Sequence, residues 1–252
     1  IRILGGVEQL ADVALNAIEH KDKAICMQAV DALGNICQRY LEHKTNLHPE
    51  WFTLDLWLRE NADFISMQDG VLDGIQDQRC WFEMKVLRQY QMLYGEVLNR
   101  MRDVNHAIAI NTRKLAECAM EKGHDQVAEL AVKFFNTFLR ATINGKDVRT
   151  AYNVFNQYRQ LAETALRFHK YETALEVALR FKYYGQLGFT NAMPFILETA
   201  AYDLCTINEI ALDLGVPCIE QLLHIMLEVD KEAEENHEFE ASLRGVRKAQ
   251  IK

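Results

Sequence analysis

The sequence is poor in the residues that mark serine hydrolases, redox motifs and flexible linkers. It holds two serines, three prolines and six cysteines in 252 residues. Neither serine lies in a Gly-x-Ser-x-Gly motif, so the nucleophile elbow of serine hydrolases is excluded. No two cysteines are closer than 11 residues, which excludes a Cys-x-x-Cys redox or zinc motif. We therefore expect reduced cysteines on helix faces and a cytoplasmic location.

Long apolar runs and an excess of positive charge are also missing. Charged residues interrupt every apolar stretch before the roughly 18–20 residues that a transmembrane helix needs. The formal net charge of −8 repels phosphate backbones, so we expect no nucleic-acid partner. No Pro-, Gly- or Ser-rich linker divides the chain, and we expect a single domain over residues 1–252 without membrane insertion.

What the sequence does contain is a weak internal repeat. Apolar residues recur every three or four positions, the spacing of amphipathic helices. Three similar stretches begin at Ala17, Ala119 and Ala165, and their second halves carry Ala29, Ala131 and Ala178. Each stretch reads as a helix end, a short polar turn and a second helix with small residues at the contact. The repeat predicts an all-α fold of antiparallel helical hairpins, stacked as a bundle or a short α-solenoid.

The periodicity also predicts where helices begin and end. We expect helices over residues 3–17, 23–42, 71–98, 103–122, 126–143, 148–169, 171–185, 191–214 and 218–239. We expect caps at Thr190 or Asn191 and at Asp147, and left-handed helix ends at Gly145 and Gly215. Between residues 45 and 70 the pattern fails, so this segment is expected to be irregular and to hold any strand. Residues 218–252 read as an acidic terminal helix followed by a loosely held basic tail.

The first 40 residues carry a resemblance to a known family. The stretch Gln9-Leu10-Ala11-Asp12-Val13-Ala14-Leu15-Asn16-Ala17, preceded by Ile1-Arg2-Ile3-Leu4, resembles the start of the soluble part of an uncharacterised family of predicted bacterial membrane proteins. The match departs from the family at the Gly5-Gly6 insertion and again at Glu19-His20-Lys21-Asp22, where the family continues with Ser-Pro and Asn-Asp-Pro. The resemblance implies a cytoplasmic helical domain whose membrane anchor lies outside this segment, and the start at Ile1 without methionine fits a piece of a longer protein. It implies no catalytic residue and no substrate.

Motifs for metal, phosphate or covalent chemistry are incomplete. Glu234 and His237 are three residues apart and could chelate one ion, but a di-iron bundle needs a second Glu-x-x-His motif, which the sequence lacks. Gly5-Gly6 lies in neither a Walker nor a dinucleotide-binding pattern. We therefore predict no catalytic residue, metal or cofactor.

One hairpin combines basic, amide and aromatic residues. Arg149, Asn153 and Asn156 share a helix face, and the second helix of the hairpin adds arginine, lysine and tyrosine. The full predicted partner-binding set is Arg149, Tyr152, Asn153, Asn156, Tyr158, Arg159, Arg180, Lys182, Tyr183 and Tyr184. Arginine binds carboxylates through two parallel hydrogen bonds, so this set predicts a groove for an acidic peptide or a small anion.

The sequence therefore predicts a non-catalytic cytoplasmic helical domain that binds a protein or an acidic peptide, alone or as the soluble part of a membrane-anchored protein. Ordinary helix-surface chemistry explains the same residues, so this alternative stays open. So does a second function, an enzyme or a sensor of a metal or small ligand with its site buried between helices.

Overall fold

The computed structural model describes residues 2–43, 81–97 and 101–250, and the regular structure within these ranges is entirely α-helical. The helices are α1 (Arg2–Glu19), α2 (Lys23–His43), α3 (Trp81–Val97), α4 (Arg102–Glu121), α5 (Asp125–Asn144), α6 (Val148–Arg167), α7 (Tyr171–Thr190), α8 (Phe195–Leu214) and α9 (Ile219–Gln250). The predicted all-α class of stacked antiparallel hairpins is confirmed. The irregular segment predicted near residues 45–70 lies outside the described residues.

The turns between helices follow one backbone pattern. A residue with left-handed φ follows each of α4 to α8, at Gly123, Lys146, His169, Ala192 and Gly215, so that successive turns are 23 residues apart. Each of these helices has 20 residues. The amide after the left-handed residue donates to a carbonyl five residues earlier, which is the Schellman arrangement of helix ends. The carbonyls belong to small residues, namely Ala119, Thr142, Ala165, Gly188 and Ala211.

Four predicted helix boundaries are wrong, and the last of them, the end of α9, is described below. The left-handed residue after α5 is Lys146 and not Gly145. The reason is that α5 continues through Asn144, so the Schellman bond runs from the Asp147 amide to the Thr142 carbonyl and the residue before Asp147 takes the left-handed φ. Helix α7 does not stop at Gly185 but continues to Thr190, and the residue before α8 is Pro194 rather than Thr190 or Asn191. The predicted cap at Asp147 is confirmed, since its carboxylate accepts from the Thr150 amide at 3.2 Å.

Contacts divide the chain into two compact units, Ile1–Phe134 and Phe135–Lys252, and the division falls within α5. We call them the N-terminal and the C-terminal unit. In the N-terminal unit α2 packs on α1, α3 and α4. Gly34 of α2 leaves room for this packing, because a β-carbon there would lie 2.9 Å from both the Tyr90 hydroxyl and Asn111 Oδ1. The expectation of one domain stays a prediction, which the number of unfolding transitions measures.

In the C-terminal unit α8 packs against α6, α7 and α9. Its core is aromatic: Tyr158 stacks on Phe135 with ring centroids 5.2 Å apart and lies 5.6 Å from Phe181. Helices α7 and α8 approach closely at Gly188, where a β-carbon would lie 2.5 Å from the side chain of Ile196. This close approach explains why α7 contains glycines in its last two turns without ending there.

Helix α9 does not end near residue 239 but continues to Gln250. The basic residues of the C-terminal stretch therefore belong to the same helix as the acidic ones. None of the helices in the described part of the chain combines the length and the apolar character that a bilayer crossing requires.

Candidate functional site

The structure distributes the ten predicted partner-binding residues over different environments of α6 and α7. Arg149, Tyr152 and Tyr183 are exposed; Asn153, Asn156, Arg159, Arg180 and Lys182 are half-buried; Tyr158 and Tyr184 are buried. The set therefore does not form one continuous exposed face.

The two buried tyrosines connect α6 and α7 to α5. The Tyr158 hydroxyl donates to Asn136 Oδ1 at 3.2 Å, and the Tyr184 hydroxyl donates to the Asn136 carbonyl oxygen at 2.8 Å. Burial raises the pKa of Tyr158 well above its ordinary value of 10. A buried hydroxyl that lost its acceptor would be costly, so these tyrosines hold the helices together.

Arg159 lies at the centre of a polar cluster between α6 and α8. Its Nε lies 3.2 Å from Asp203 Oδ1, and the guanidinium also donates to Glu163 and, at 2.9 Å, to Asn156 Oδ1. Asp203 is 5% exposed. Burial raises the pKa of Asp203 to about 6, although the positive charge of Arg159 acts in the opposite direction. The two carboxylates and the guanidinium thus form a small ionic network within the chain.

The cations of α7 are likewise engaged with carboxylates of the chain. Arg180 Nη2 lies 2.6 Å from Glu176 Oε1 on the same helix, and Lys182 Nζ lies 2.9 Å from Glu228 on α9. An acidic peptide at these positions would have to compete with these carboxylates. Arg149 and the exposed Tyr152 and Tyr183 remain directly accessible at the surface.

A second surface feature, which the sequence analysis missed, is an open groove between α8 and α9, here called the α8–α9 groove. It has a volume of about 710 Å³ and is lined by Glu198, Ala201, Tyr202, Cys205, Asp230, Ala233 and Glu234. Tyr202 is 72% exposed at its edge. Among the residues that the structure describes, the lining thus combines three carboxylates with a tyrosine, a cysteine and two alanines, and none of these is basic.

The carboxylates near the α8–α9 groove affect the pKa of Cys205, which lines it. The Cys205 thiol is 3.9 Å from Glu209 Oε1. The pKa of Cys205 is raised first by partial loss of solvent contact and then by the negative charges of Glu209 and Asp230. At Cys205, therefore, the charges of Glu209 and Asp230 disfavour a thiolate and would favour a bound cation.

The N-terminal unit has a smaller groove between α1 and α2. It has a volume of about 560 Å³ and is lined by Asp12, Val13, Asn16, Ala17, His20, Asp22 and Ile25. The Nδ1 atom of His20 lies 2.9 Å from the Asn16 carbonyl oxygen, so this histidine is engaged with the end of its own helix. Within the described ranges, no group of three or more His, Cys, Asp or Glu side chains is placed to hold a metal ion.

The residues that line the α8–α9 groove are far apart in the sequence. They come from two helices and meet only when the hairpin forms, so no local motif marks them. The 23-residue spacing of the turns would have aligned α4, α6 and α8 and shown where their side chains differ.

No family model matches the sequence, and no curated protein matches it. Among solved structures, the de novo designed helical repeat protein DHR64 is similar to the chain with a TM-score of 0.54 at 18% identity, covering 87% of this chain and 97% of the designed chain. A circular tandem repeat protein with a novel repeat topology has a TM-score of 0.49 at 17% identity, covering 95% of this chain and 60% of its own. The likeness to the first shows a fold of helical repeats and carries no function.

Proposed function

We propose that the chain is a non-catalytic helical-repeat domain that binds a protein or peptide partner. The supporting observation is that large apolar side chains are exposed in pairs on α6 and α7. Val148 and Tyr152 on α6 are 46% and 57% exposed, and Leu179 and Tyr183 on α7 are 49% and 43% exposed. Members of each pair are four residues apart and share a helix face. Each exposed pair offers apolar surface on which an apolar side chain of a partner can pack.

The charge next to the apolar pair on α6 suggests what the partner carries. Arg149 is exposed in the first turn of α6, three residues from Tyr152. Tyrosine and arginine, together with tryptophan, are enriched among the residues that contribute most to binding energy in protein interfaces. We therefore propose a partner segment that places an apolar side chain on Tyr152 and a carboxylate on Arg149.

The proposal places the domain in the cytoplasm. Its support is the spacing of the cysteines, and none of the five cysteines in the described residues is in a disulfide. Attachment to a membrane through a segment outside residues 1–252 is the part of the proposal that rests on the family resemblance alone.

The experiment is a selection of displayed random 12-residue peptides on the immobilised chain, followed by affinity measurements on the enriched peptides. We expect the double variant Tyr152→Ala/Tyr183→Ala to bind them about tenfold more weakly, because it removes two exposed aromatic contacts without opening the core. Met92→Ala is the matched control, since Met92 is 43% exposed on α3 of the other unit. A selection that enriches no peptide would contradict the proposal.

Two further measurements test whether the partner is acidic and whether the chain is instead an enzyme or a ligand sensor. If the partner is acidic, Arg149→Glu/Arg180→Glu should weaken binding of Asp- or Glu-rich peptides, and added salt should weaken it likewise. If the chain is instead an enzyme or a sensor of a metal or small ligand, native mass spectrometry with elemental analysis should find a molecule bound to the purified chain.

A further inference from the structure

The 23-residue spacing of the turns gives the chain a 46-residue register for helix pairs, because every second helix is equivalent. Residues 113, 159 and 205 on α4, α6 and α8 share a register position. At the first two positions an arginine pairs with the glutamate four residues later: Arg113 Nη1 lies 2.6 Å from Glu117, and Arg159 pairs with Glu163. The third position has Cys205, while the glutamate is retained as Glu209.

The substitution of cysteine for arginine leaves Glu209 with a much weaker donor. A thiol is a poor hydrogen-bond donor and carries no positive charge, and here it lies 3.9 Å from the carboxylate. The α8–α9 groove opens at this same cysteine and adds the carboxylates of Asp230 and Glu234. On α8, therefore, the glutamate acceptor is retained as Glu209, but a groove lies where α4 and α6 have the guanidinium of an arginine.

We propose that the α8–α9 groove binds an arginine-containing segment of a partner protein, whose guanidinium takes the register position that Arg113 and Arg159 fill in α4 and α6. The inference rests on the proposed function, partner binding, and adds a second contact surface of opposite charge. The volume of about 710 Å³ leaves room for an arginine side chain, since pockets that hold whole small molecules measure roughly 300–1,000 Å³.

The chemistry of the lining favours arginine over lysine. Acceptors lie on both helices, because Asp230 and Glu234 of α9 line the groove and Glu209 of α8 lies next to the lining residue Cys205. A planar guanidinium with five donors can use several of them at once. Tyr202, 72% exposed at the edge, presents a ring on which a guanidinium can stack. The small side chains of Ala201 and Ala233 leave the space in which the segment would lie.

The test uses a fluorescein-labelled 12-residue Gly/Ser peptide with four arginines, beside peptides with lysine or citrulline in their place. Citrulline keeps the shape of arginine without its charge, so we expect the order arginine, lysine, citrulline in fluorescence anisotropy. A second readout is the rate at which iodoacetamide alkylates Cys205, followed by mass spectrometry of the peptide that contains it. We expect the arginine peptide, and not the citrulline peptide, to slow this alkylation.

The decisive variant is Cys205→Arg, which places an arginine at this register position of α8. The new arginine should pair with Glu209, as Arg113 and Arg159 pair with their glutamates on α4 and α6. We expect the variant to fold, to be at least as heat-stable as the parent and to bind the arginine peptide about tenfold more weakly. Cys205→Ser, which leaves the groove open, should bind within about twofold of the parent. If Cys205→Arg fails to fold, the double variant Glu209→Gln/Asp230→Asn replaces it in the test. We expect this variant also to bind the arginine peptide about tenfold more weakly.

The control for nonspecific attraction to an acidic protein is Glu121→Gln/Glu129→Gln, which removes two exposed charges outside the groove. Equal loss in both double variants, or undiminished binding by a folded Cys205→Arg variant, would overturn the inference. Peptides selected as described for the proposed function distinguish the two proposals: if those still depend on Tyr152 and Tyr183, partner binding stands and only the α8–α9 groove is refuted.

Discussion

Replacing Asp203 with asparagine should stabilise the C-terminal unit at neutral pH and change how its stability depends on pH. Asp203 is 5% exposed, and Arg159 Nε lies 3.2 Å from Oδ1. Its other oxygen, Oδ2, is buried and accepts no hydrogen bond from the described part of the chain. Ionising this carboxyl is therefore costly, since half of it has lost water without gaining a donor.

The magnitude follows from the pKa of Asp203, which burial raises from 3.8 to about 6. Between about pH 4 and pH 6 the folded state holds a proton that the unfolded state has released, so stability increases as the pH falls through 6. The pKa difference corresponds to about 3 kcal/mol at pH 7, as an upper figure. Asparagine cannot ionise, and Arg159 keeps its pair with Glu163 in the variant.

We therefore expect Asp203→Asn to be more stable than the parent by about 1–3 kcal/mol at pH 7, with the advantage shrinking by about 2 kcal/mol on going to pH 4.5. The measurement is urea unfolding at several pH values, followed by circular dichroism. Tryptophan fluorescence identifies the unfolding of the N-terminal unit, because Trp51, Trp57 and Trp81 all precede residue 135. Asp213→Asn, an exposed carboxylate on the same helix, is the matched control.

The result that would refute this reasoning is a variant less stable than the parent at pH 7. It would mean that the attraction between Asp203 and Arg159 outweighs the cost of burying the carboxylate. Parallel pH profiles for the parent and Asp203→Asn would refute it as well, because the carboxyl would then titrate alike in the folded and unfolded chains.

Three further predictions concern packing and turns. Replacing the buried Ala29, Ala131 or Ala178 with leucine should cost about 1–3 kcal/mol each by overpacking a helix contact, and unchanged melting temperatures in all three variants would show that our repeat assignment is wrong. Gly188→Ala should destabilise by about 1–2 kcal/mol, because the clash with Ile196 exceeds the roughly 1 kcal/mol gain in helix propensity. Gly6→Ala on α1 should show that gain alone, because the added carbon meets no described atom within 4 Å beyond its own stretch of helix. Ala192→Gly should stabilise the chain and Gly215→Ala should destabilise it, each by up to about 1 kcal/mol, because both positions have left-handed φ, which glycine adopts more readily than alanine. If chemical unfolding shows effects of the same sign for both variants, this prediction is wrong.

The sequence by itself determined the class of the fold and most of the helices. The three-and-four spacing of apolar residues is a local property, and it placed α4, α5 and α6 within one or two residues of their observed bounds. It placed the contact alanines in the core as well, because small residues at a helix crossing are visible as a pattern. The 23-residue period of the turns was also in the sequence, but only the left-handed φ values at Lys146, His169 and Ala192 make it visible, since none of these residues is a usual turn signal.

The tertiary structure alone decided which polar groups are already engaged and which are accessible. Arg159 and Asp203 are 44 positions apart, and Tyr158 and Tyr184 both reach Asn136, so no local pattern could show that these predicted contact residues bond within the chain. The same holds for the α8–α9 groove, whose carboxylates lie on two helices. Electrostatic and hydrogen-bond partners depend on distances between helices, which are fixed by the packing of the whole core rather than by the residues next to them in the chain.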